Sequence, residues 1–446
     1  MPWSPDGWQR RVAEQQPDWP DEAALTQVVK ALGRRPPLVF SGETRKLREQ
    51  LAAVARGEAF LLQAGDCVES FDSFSTESIQ AKLRVILQMA VVLTYSGGIP
   101  VVKVGRIAGQ LAKPRSSPTE TVDGTTLPSF RGHMVNDFAF EAEARRADPQ
   151  RLLSAYDHAA GTLNLLRALT KGGYAGMSQV HAWNQAFVAS SAQGERYEEI
   201  AAGIDRALAF MRACGVDLEA GGRLSQVDLF TSHEALLLHY EQALCHGEQG
   251  AHYGGSAHML WIGERTRGPA GAHVDFLSGL ANPIGVKLGP GASPEDALEL
   301  CRRLDPEREP GRLTLISRMG ADAVQARLPP LLRAVRDAGH PVVWACDPMH
   351  GNTYTSESGH KTRDFDAILR EVSGFFAAHG EVGTWPGGLH VELTGEDVTE
   401  CIGGEAAISE QQLQARYETM CDPRLNGRQS LDLAFRSAEL LAERRS

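Results

Sequence analysis

The stretch Pro341-Val342-Val343-Trp344-Ala345-Cys346-Asp347-Pro348-Met349-His350-Gly351-Asn352-Thr353 decides the fold. An apolar run, Pro341 to Cys346, empties into Asp347, His350 and Asn352. A short buried strand that turns polar at its end is how a barrel or an open α/β sheet presents chemistry at its carboxyl edge. Taken singly, a histidine after a strand is more often an ordinary loop residue than a ligand. Repetition along the chain is what gives the pattern weight.

Seven further runs behave the same way. Phe60 to Ala64 ends in Gly65-Asp66-Cys67, and Pro100 to Gly105 ends in Arg106. Val227 to Thr231 precedes Ser232-His233-Glu234, Met259 to Gly263 precedes Glu264-Arg265-Thr266, and Pro283 to Val286 precedes Lys287-Leu288-Gly289-Pro290. Leu313 to Ser317 precedes Arg318-Met319-Gly320, and Leu389 to Val391 precedes Glu392-Leu393-Thr394-Gly395. Amphipathic segments lie between most of them: Ser75 to Thr94, Ser293 to Leu304, Asp322 to Ala338 with an interruption expected at Pro329-Pro330, and Asp364 to His379. A last helix, Ser430 to Glu443, follows the eighth strand. Eight strands alternating with helices, each crossover long enough to be right-handed and parallel, predict a (β/α)8 TIM barrel; a doubly wound open sheet is the rival.

The chain has 446 residues, and a bare barrel needs roughly 250. Part of the surplus is an N-terminal extension, 1–58, with helices at Glu22 to Leu32 and Glu43 to Arg56; the barrel then occupies 59–446. The rest is an insertion after the second strand, about 107–226. It opens with a polar loop, Lys113 to Asn136, and continues through helices near Pro149 to Thr170 and Arg196 to Cys214. Their apolar faces suit either subunit contacts or packing on the barrel flank.

A net charge of −11 argues against a general nucleic-acid or anionic-membrane binder, so any affinity for phosphate must come from a local cationic cluster. Seven scattered cysteines without a C-x-x-C pair indicate neither a disulfide framework nor a zinc knuckle and fit a reducing cytoplasm. No basic segment with an apolar core opens the chain, and no apolar run is long enough to span a bilayer, so neither export nor membrane insertion is expected.

In a barrel all strand ends meet at one face. Arg106, Arg265, Lys287 and Arg318 form a cationic set there. Burying several cations together is unfavourable without compensating anions, which points to phosphate and carboxylate groups of a substrate. The alternative is that each arginine pairs with a loop carboxylate. Cys67, His350 and Glu392 form a second set whose thiolate, imidazole and carboxylate suit a divalent metal of borderline softness, manganese, cobalt, iron or zinc. Lys113-Pro114-Arg115-Ser116 offers two cations and a hydroxyl for a second phosphate, or else is a solvated turn.

With these motifs in view the chain resembles the type II (class II) 3-deoxy-D-arabino-heptulosonate 7-phosphate (DAHP) synthase family. The resemblance rests on Gly65-Asp66-Cys67, Val104 to Gln110, Lys113 to Ser116, Trp261 to Thr266, Lys287 to Pro290, Asp347 to Thr353, His390 to Gly395 and Cys421-Asp422-Pro423-Arg424-Leu425-Asn426. It implies a TIM barrel that condenses phosphoenolpyruvate with erythrose 4-phosphate and water, the first step of the shikimate pathway towards aromatic amino acids, with release of phosphate. The metal ligands would be Cys67, His350, Glu392 and Asp422, holding manganese or cobalt, with iron and zinc as alternatives. Arg106, Glu264, Arg265, Lys287 and Arg318 would hold phosphoenolpyruvate with Lys113 in reach, and Lys113, Arg115 and Ser116 would grip the erythrose 4-phosphate phosphate. Glu264, Lys287 and Lys113 would be the catalytic groups. The resemblance also implies a homo-oligomer, a dimer or tetramer, and aromatic amino acids as effectors. A Cys67 to Cys421 disulfide could form on loss of the metal. Rival readings are an aminoDAHP synthase of secondary metabolism, a Schiff-base aldolase using Lys287, and a non-catalytic binding protein.

Overall fold

The computed structural model describes residues 3–172, 174–190, 194–214, 227–404 and 407–445; the last part of the expected insertion, 215–226, lies outside them. The eight expected strands form a closed parallel barrel: β1 Phe60–Gly65, β2 Val101–Arg106, β3 Phe230–Glu234, β4 Met259–Ile262, β5 Ile284–Leu288, β6 Leu313–Ser317, β7 Val343–Cys346 and β8 Gly388–Glu392. Each pairs with its sequence neighbours, and β8 closes on β1. The third strand starts three residues later than Val227, so Ser232, His233 and Glu234 lie within it rather than after it. Side chains of all eight strands are nearly all buried, as strands covered on both faces require.

The helices are α1 Glu22–Leu32, α2 Ser41–Ala55, α3 Thr76–Gly97, α4 Arg151–Lys171, α5 Met177–Ser190, α6 Gly194–Ala213, α7 Leu238–Leu244, α8 Ala272–Ser278, α9 Pro294–Leu304, α10 Val324–Asp337, α11 Phe365–Val382 and α12 Gly427–Arg445. Helix α9 shows how the chain writes its own boundaries. Ser293 accepts from the Asp296 N–H, Asp296 returns the bond to the Ser293 N–H, and Pro294 opens the first turn. Helix α10 runs through Pro329 and Pro330 without the expected interruption. Val324, Leu328, Pro329, Leu331, Leu332 and Val335 are buried on its inner face, and that packing outweighs the lost backbone hydrogen bonds.

Leu47, Leu51 and Val54 of α2 enter an apolar layer with Leu61, Val102, Val104, Phe230, Met259, Ile316, Val343 and Ala345, closing the amino end of the barrel. The insertion carries the two expected helices, α4 and α6, and between them a further one, α5, that the sequence reading does not place. The loop expected at Lys113 to Asn136 contains a hairpin, Thr119–Val122 with Thr125–Pro128. Another hairpin, Thr353–Thr355 with Lys361–Arg363, follows β7 and reaches the carboxyl rim.

Candidate active site at the carboxyl rim

Strand register assembles the site. Gly65 is paired with Arg106 on one side and Glu392 on the other, so both residues flank the end of β1. A side chain at Gly65 (φ +148°) would bring a Cβ within 2.5 Å of the Arg106 carbonyl, so only glycine lets these strand ends approach. Arg106 then donates to Glu392 Oε1 at 2.8 Å, to the Asp66 carbonyl, and to His390, and its guanidinium lies 5.0 Å from the Trp261 ring.

One pocket at this rim is lined by Arg106, Lys113, Arg115, Ser116, Glu264, Arg265, Lys287, Arg318, His350 and Asp422. Cys67 and Glu392 are fully buried at its floor. All residues expected from sequence therefore converge, including Asp422, which follows β8 by a long loop.

The Lys113 ammonium sits 2.9 Å from Cys67 Sγ, 3.0 Å from Glu392 Oε1 and 2.9 Å from Asp422 Oδ2, with His350 Nε2 at 3.5 Å. Ligand atoms of Cys67, Glu392 and Asp422 lie within 4.8 Å of one another, and His350 Nε2 is 3.1 Å from Glu392 Oε1. A cation therefore already stands where a thiol, an imidazole and two carboxylates meet. This donor set fits a borderline divalent ion better than calcium or magnesium.

Charge in this region is tightly coupled. Burial works against ionised Glu392, but His350, Lys113, Arg363 and Arg106 hold its carboxyl well below the usual range. Asp422 is likewise held down, against burial, mainly by Lys113. Burial and the nearby Glu392 carboxylate push the Cys67 thiol up, so ligation there would release a proton. Asp347 has no counterpart in the expected ligand or substrate sets. Its carboxylate meets His350 Nδ1 at 2.8 Å and Lys287 Nζ at 2.9 Å, and accepts the His350 N–H. It thereby fixes the His350 ring with Nε2 turned towards Glu392 and Lys113.

The cationic set divides. Arg106 and Lys287 pair with Glu392 and Asp347, which partly meets the alternative of loop carboxylates. Arg318 donates to the His350 carbonyl at 3.0 Å, and Arg265 is exposed on the pocket wall; among the described residues neither pairs with a carboxylate. Glu264, adjacent to Arg265 in sequence, pairs instead with Arg267 Nε at 3.1 Å and accepts the Gly289 N–H at 2.6 Å. Arg115 donates to Glu120 at 2.7 Å and approaches Cys421 Sγ at 3.4 Å. Cys67 and Cys421 are free thiols in one small cluster with Val68 and Phe130.

Three contributors escape the sequence reading. Glu234 lines the pocket, its Oε1 lacks a hydrogen-bond partner, and burial raises its carboxyl pKa despite Lys287, Lys113, His350 and Arg106. Gly263 leaves the space it needs: a Cβ there would fall 2.1 Å from Glu234 Oε1. Arg363, fully buried, lies 2.8 Å from Glu392 Oε2 without hydrogen-bond geometry. Lys361 reaches Asp422 Oδ1 at 3.1 Å from the same hairpin. The only advance signals were the glycine in Trp261-Ile262-Gly263 and the cation pair at 361 and 363.

The family model described as Class-II DAHP synthetase family matches residues 3–438. The chain is 58% identical over 435 residues to a phospho-2-dehydro-3-deoxyheptonate aldolase of Streptomyces coelicolor, covering 97% of this chain and 96% of that protein. It is 54% identical over 441 residues to the phospho-2-dehydro-3-deoxyheptonate aldolase AroG of Mycolicibacterium smegmatis, covering 97% and 93%. A solved phospho-2-dehydro-3-deoxyheptonate aldolase from Francisella tularensis covers 94% of this chain and 97% of its own at 14% identity and a TM-score of 0.49.

Proposed function

The chain belongs to the class-II DAHP synthetase family, and from that premise we propose that it condenses phosphoenolpyruvate with erythrose 4-phosphate and water to give DAHP and phosphate. The observation that carries the reading is the meeting of Cys67, His350, Glu392 and Asp422 around one cation, beside two arginines that pair with no carboxylate among the described residues.

Arg106, Arg265, Lys287 and Arg318 bind the phosphate and carboxylate of phosphoenolpyruvate, and Arg gives each anion paired N–H donors in one plane. Lys113, Arg115 and Ser116 bind the phosphate of the aldose and set its aldehyde towards C3 of phosphoenolpyruvate. The new C–C bond forms between C3 and the aldehyde carbon, water adds at C2, and the C2–O bond to phosphate breaks. Glu264, anchored by Arg267 and the Gly289 N–H, orients that water. Burial lowers the Lys287 ammonium pKa against the pull of Asp347, which suits proton donation to the oxygen of the former aldehyde. A divalent ion on Cys67, His350, Glu392 and Asp422, manganese or cobalt before iron or zinc, supplies Lewis-acid polarisation of the aldehyde when bound. The arginine set stabilises the departing phosphate.

The same reading treats residues 1–58 as an arm, 59–446 as the catalytic barrel, and the 107–226 insertion as the carrier of subunit contacts, supported by exposed Phe210 on α6. An apolar cavity of about 730 Å³ between α3, α6 and β2, lined by Leu87, Val91, Tyr95, Lys103, Leu208 and Met211, suits an aromatic amino acid effector. No described helix is long and apolar enough to cross a membrane; a cytoplasmic place is part of the proposal. Oxidation of metal-free protein is expected to join Cys67 to Cys421, read by non-reducing mass mapping.

The test is a phosphate-release assay with phosphoenolpyruvate and erythrose 4-phosphate, with and without EDTA. Turnover abolished by EDTA and restored by manganese or cobalt is expected. Turnover that survives EDTA with borohydride trapping of Lys287 would overturn the reading in favour of a Schiff-base aldolase, and turnover only with an aminotetrose phosphate would make it the aminoDAHP variant.

A further inference from the structure

Glu371 lies in the middle of α11, fully buried, and has no role in the chemistry above. A buried carboxylate is costly unless its oxygens are satisfied. Among the described residues no lysine or arginine pairs with it; every partner is an N–H group. Its Oε1 accepts from the backbone of Met319 at 2.8 Å and of Gly320 at 2.9 Å, and its Oε2 accepts from Asn352 Nδ2 at 2.7 Å.

These partners belong to two different loops. Met319 and Gly320 directly follow Arg318 at the end of β6. Asn352 belongs to the loop after β7 that carries His350. Asn352 continues the bridge, accepting the Ala321 N–H at 2.9 Å and donating to the Pro348 carbonyl at 2.7 Å. Where the loops touch, both sides are glycine: a Cβ on Gly351 would lie 2.4 Å from the Gly320 nitrogen. Arg318 closes the loop of contacts on the pocket side by donating to the His350 carbonyl. Burial pushes the Glu371 carboxyl up to about 7, against the bonds from Gly320, Met319 and Asn352.

We propose that Glu371 is a positioning residue: it clamps the Arg318 loop to the His350 loop and thereby sets the place of the phosphoenolpyruvate-binding guanidinium relative to the metal ligand. The clamp needs a group that accepts on both oxygens. A glutamine keeps one acceptor, but its amide would face the Asn352 amide donor to donor, and turning Asn352 would forfeit its bonds to Ala321 and Pro348. The inference rests on the functional reading that Arg318 binds phosphoenolpyruvate.

The test is a double-mutant cycle on phosphoenolpyruvate binding, measured by calorimetry with manganese present. Glu371→Gln is expected to weaken binding about tenfold in the wild-type background and less than about twofold beside Arg318→Ala, because its effect runs through Arg318. A general structural role would weaken both backgrounds alike. Equal weakening in the two backgrounds, or a folded Glu371→Gln that binds as the wild type does, overturns the proposal. If Glu371→Gln does not fold, Asn352→Ala opens the same clamp from the pocket side and is read by the same criteria. Failure of the wild type to bind phosphoenolpyruvate would overturn the functional reading and this inference with it, whereas equal weakening removes this inference alone.

Discussion

At the amino end of the barrel, Leu47, Leu51 and Val54 of α2 meet Leu61, Val102, Phe230 and Val343 in a layer free of charge, while at the carboxyl end Arg106, Lys113, Lys287, Asp347, Arg363 and Glu392 are buried together. The side chains named at both ends are buried, although a pocket opens above the second. Removing apolar area from water stabilises the first directly, whereas the second is held by ion pairs whose desolvation offsets much of their attraction. Among the described residues, two arginines there, Arg265 and Arg318, lack carboxylate partners. The amino end thus supplies stability, and the carboxyl end is left short of anions and carries a cation among four donor groups.

The largest effect expected from breaking this contrast is at Glu392, which joins Arg106, Arg363, Lys113 and His350. Glu392→Gln keeps the shape and removes the charge, so kcat/KM should fall by roughly 10³-fold or more, and manganese binding by calorimetry should weaken with it. Arg318→Ala should raise KM for phosphoenolpyruvate and lower kcat/KM by about 10²-fold, with the melting temperature unmoved. Leu51→Ala reverses the pattern, costing about 2–5 kcal/mol in denaturant melts while the folded fraction turns over at the wild-type rate.

The smallest expected effect sharpens the comparison by pH. Against burial, His258 and Arg167 hold the Glu43 carboxyl at about 2, below its ordinary 4.5, near the amino end. His258 is 3.8 Å away and is itself lowered by burial, so the Arg167 contact at 2.8 Å is the firmer of the two. A depressed folded value means that the stabilisation is present above pH 4.5 and is lost as pH falls towards 2. Glu43→Gln should therefore flatten the loss of melting temperature over that window, modestly, since solvent screens this half-exposed pair.

The barrel was legible because each strand is an apolar run with an abrupt polar end, a pattern that survives small errors of boundary. At β3 the boundary error had a consequence: with Glu234 placed beyond the strand, its inward-facing carboxylate went unnoticed. Arg363 and Glu371 were invisible for a related reason. They sit in a hairpin and in the middle of a helix, and only tertiary contact brings them to the rim. Asp422 carries no local signal either, and resemblance alone pointed to it. Asp347 needed the structure, since its work is to orient His350 and hold Lys287. Pro329 and Pro330 misled because local propensity yields to packing.

The most direct test of the division between metal donors and anion binders is anomalous diffraction from crystals grown with manganese and phosphoenolpyruvate. One manganese peak is expected, bonded to Cys67, His350, Glu392 and Asp422, with Lys113 withdrawn from the thiol and the substrate phosphate on Arg265 and Arg318. A manganese peak elsewhere, or phosphoenolpyruvate bound away from both arginines, would contradict it.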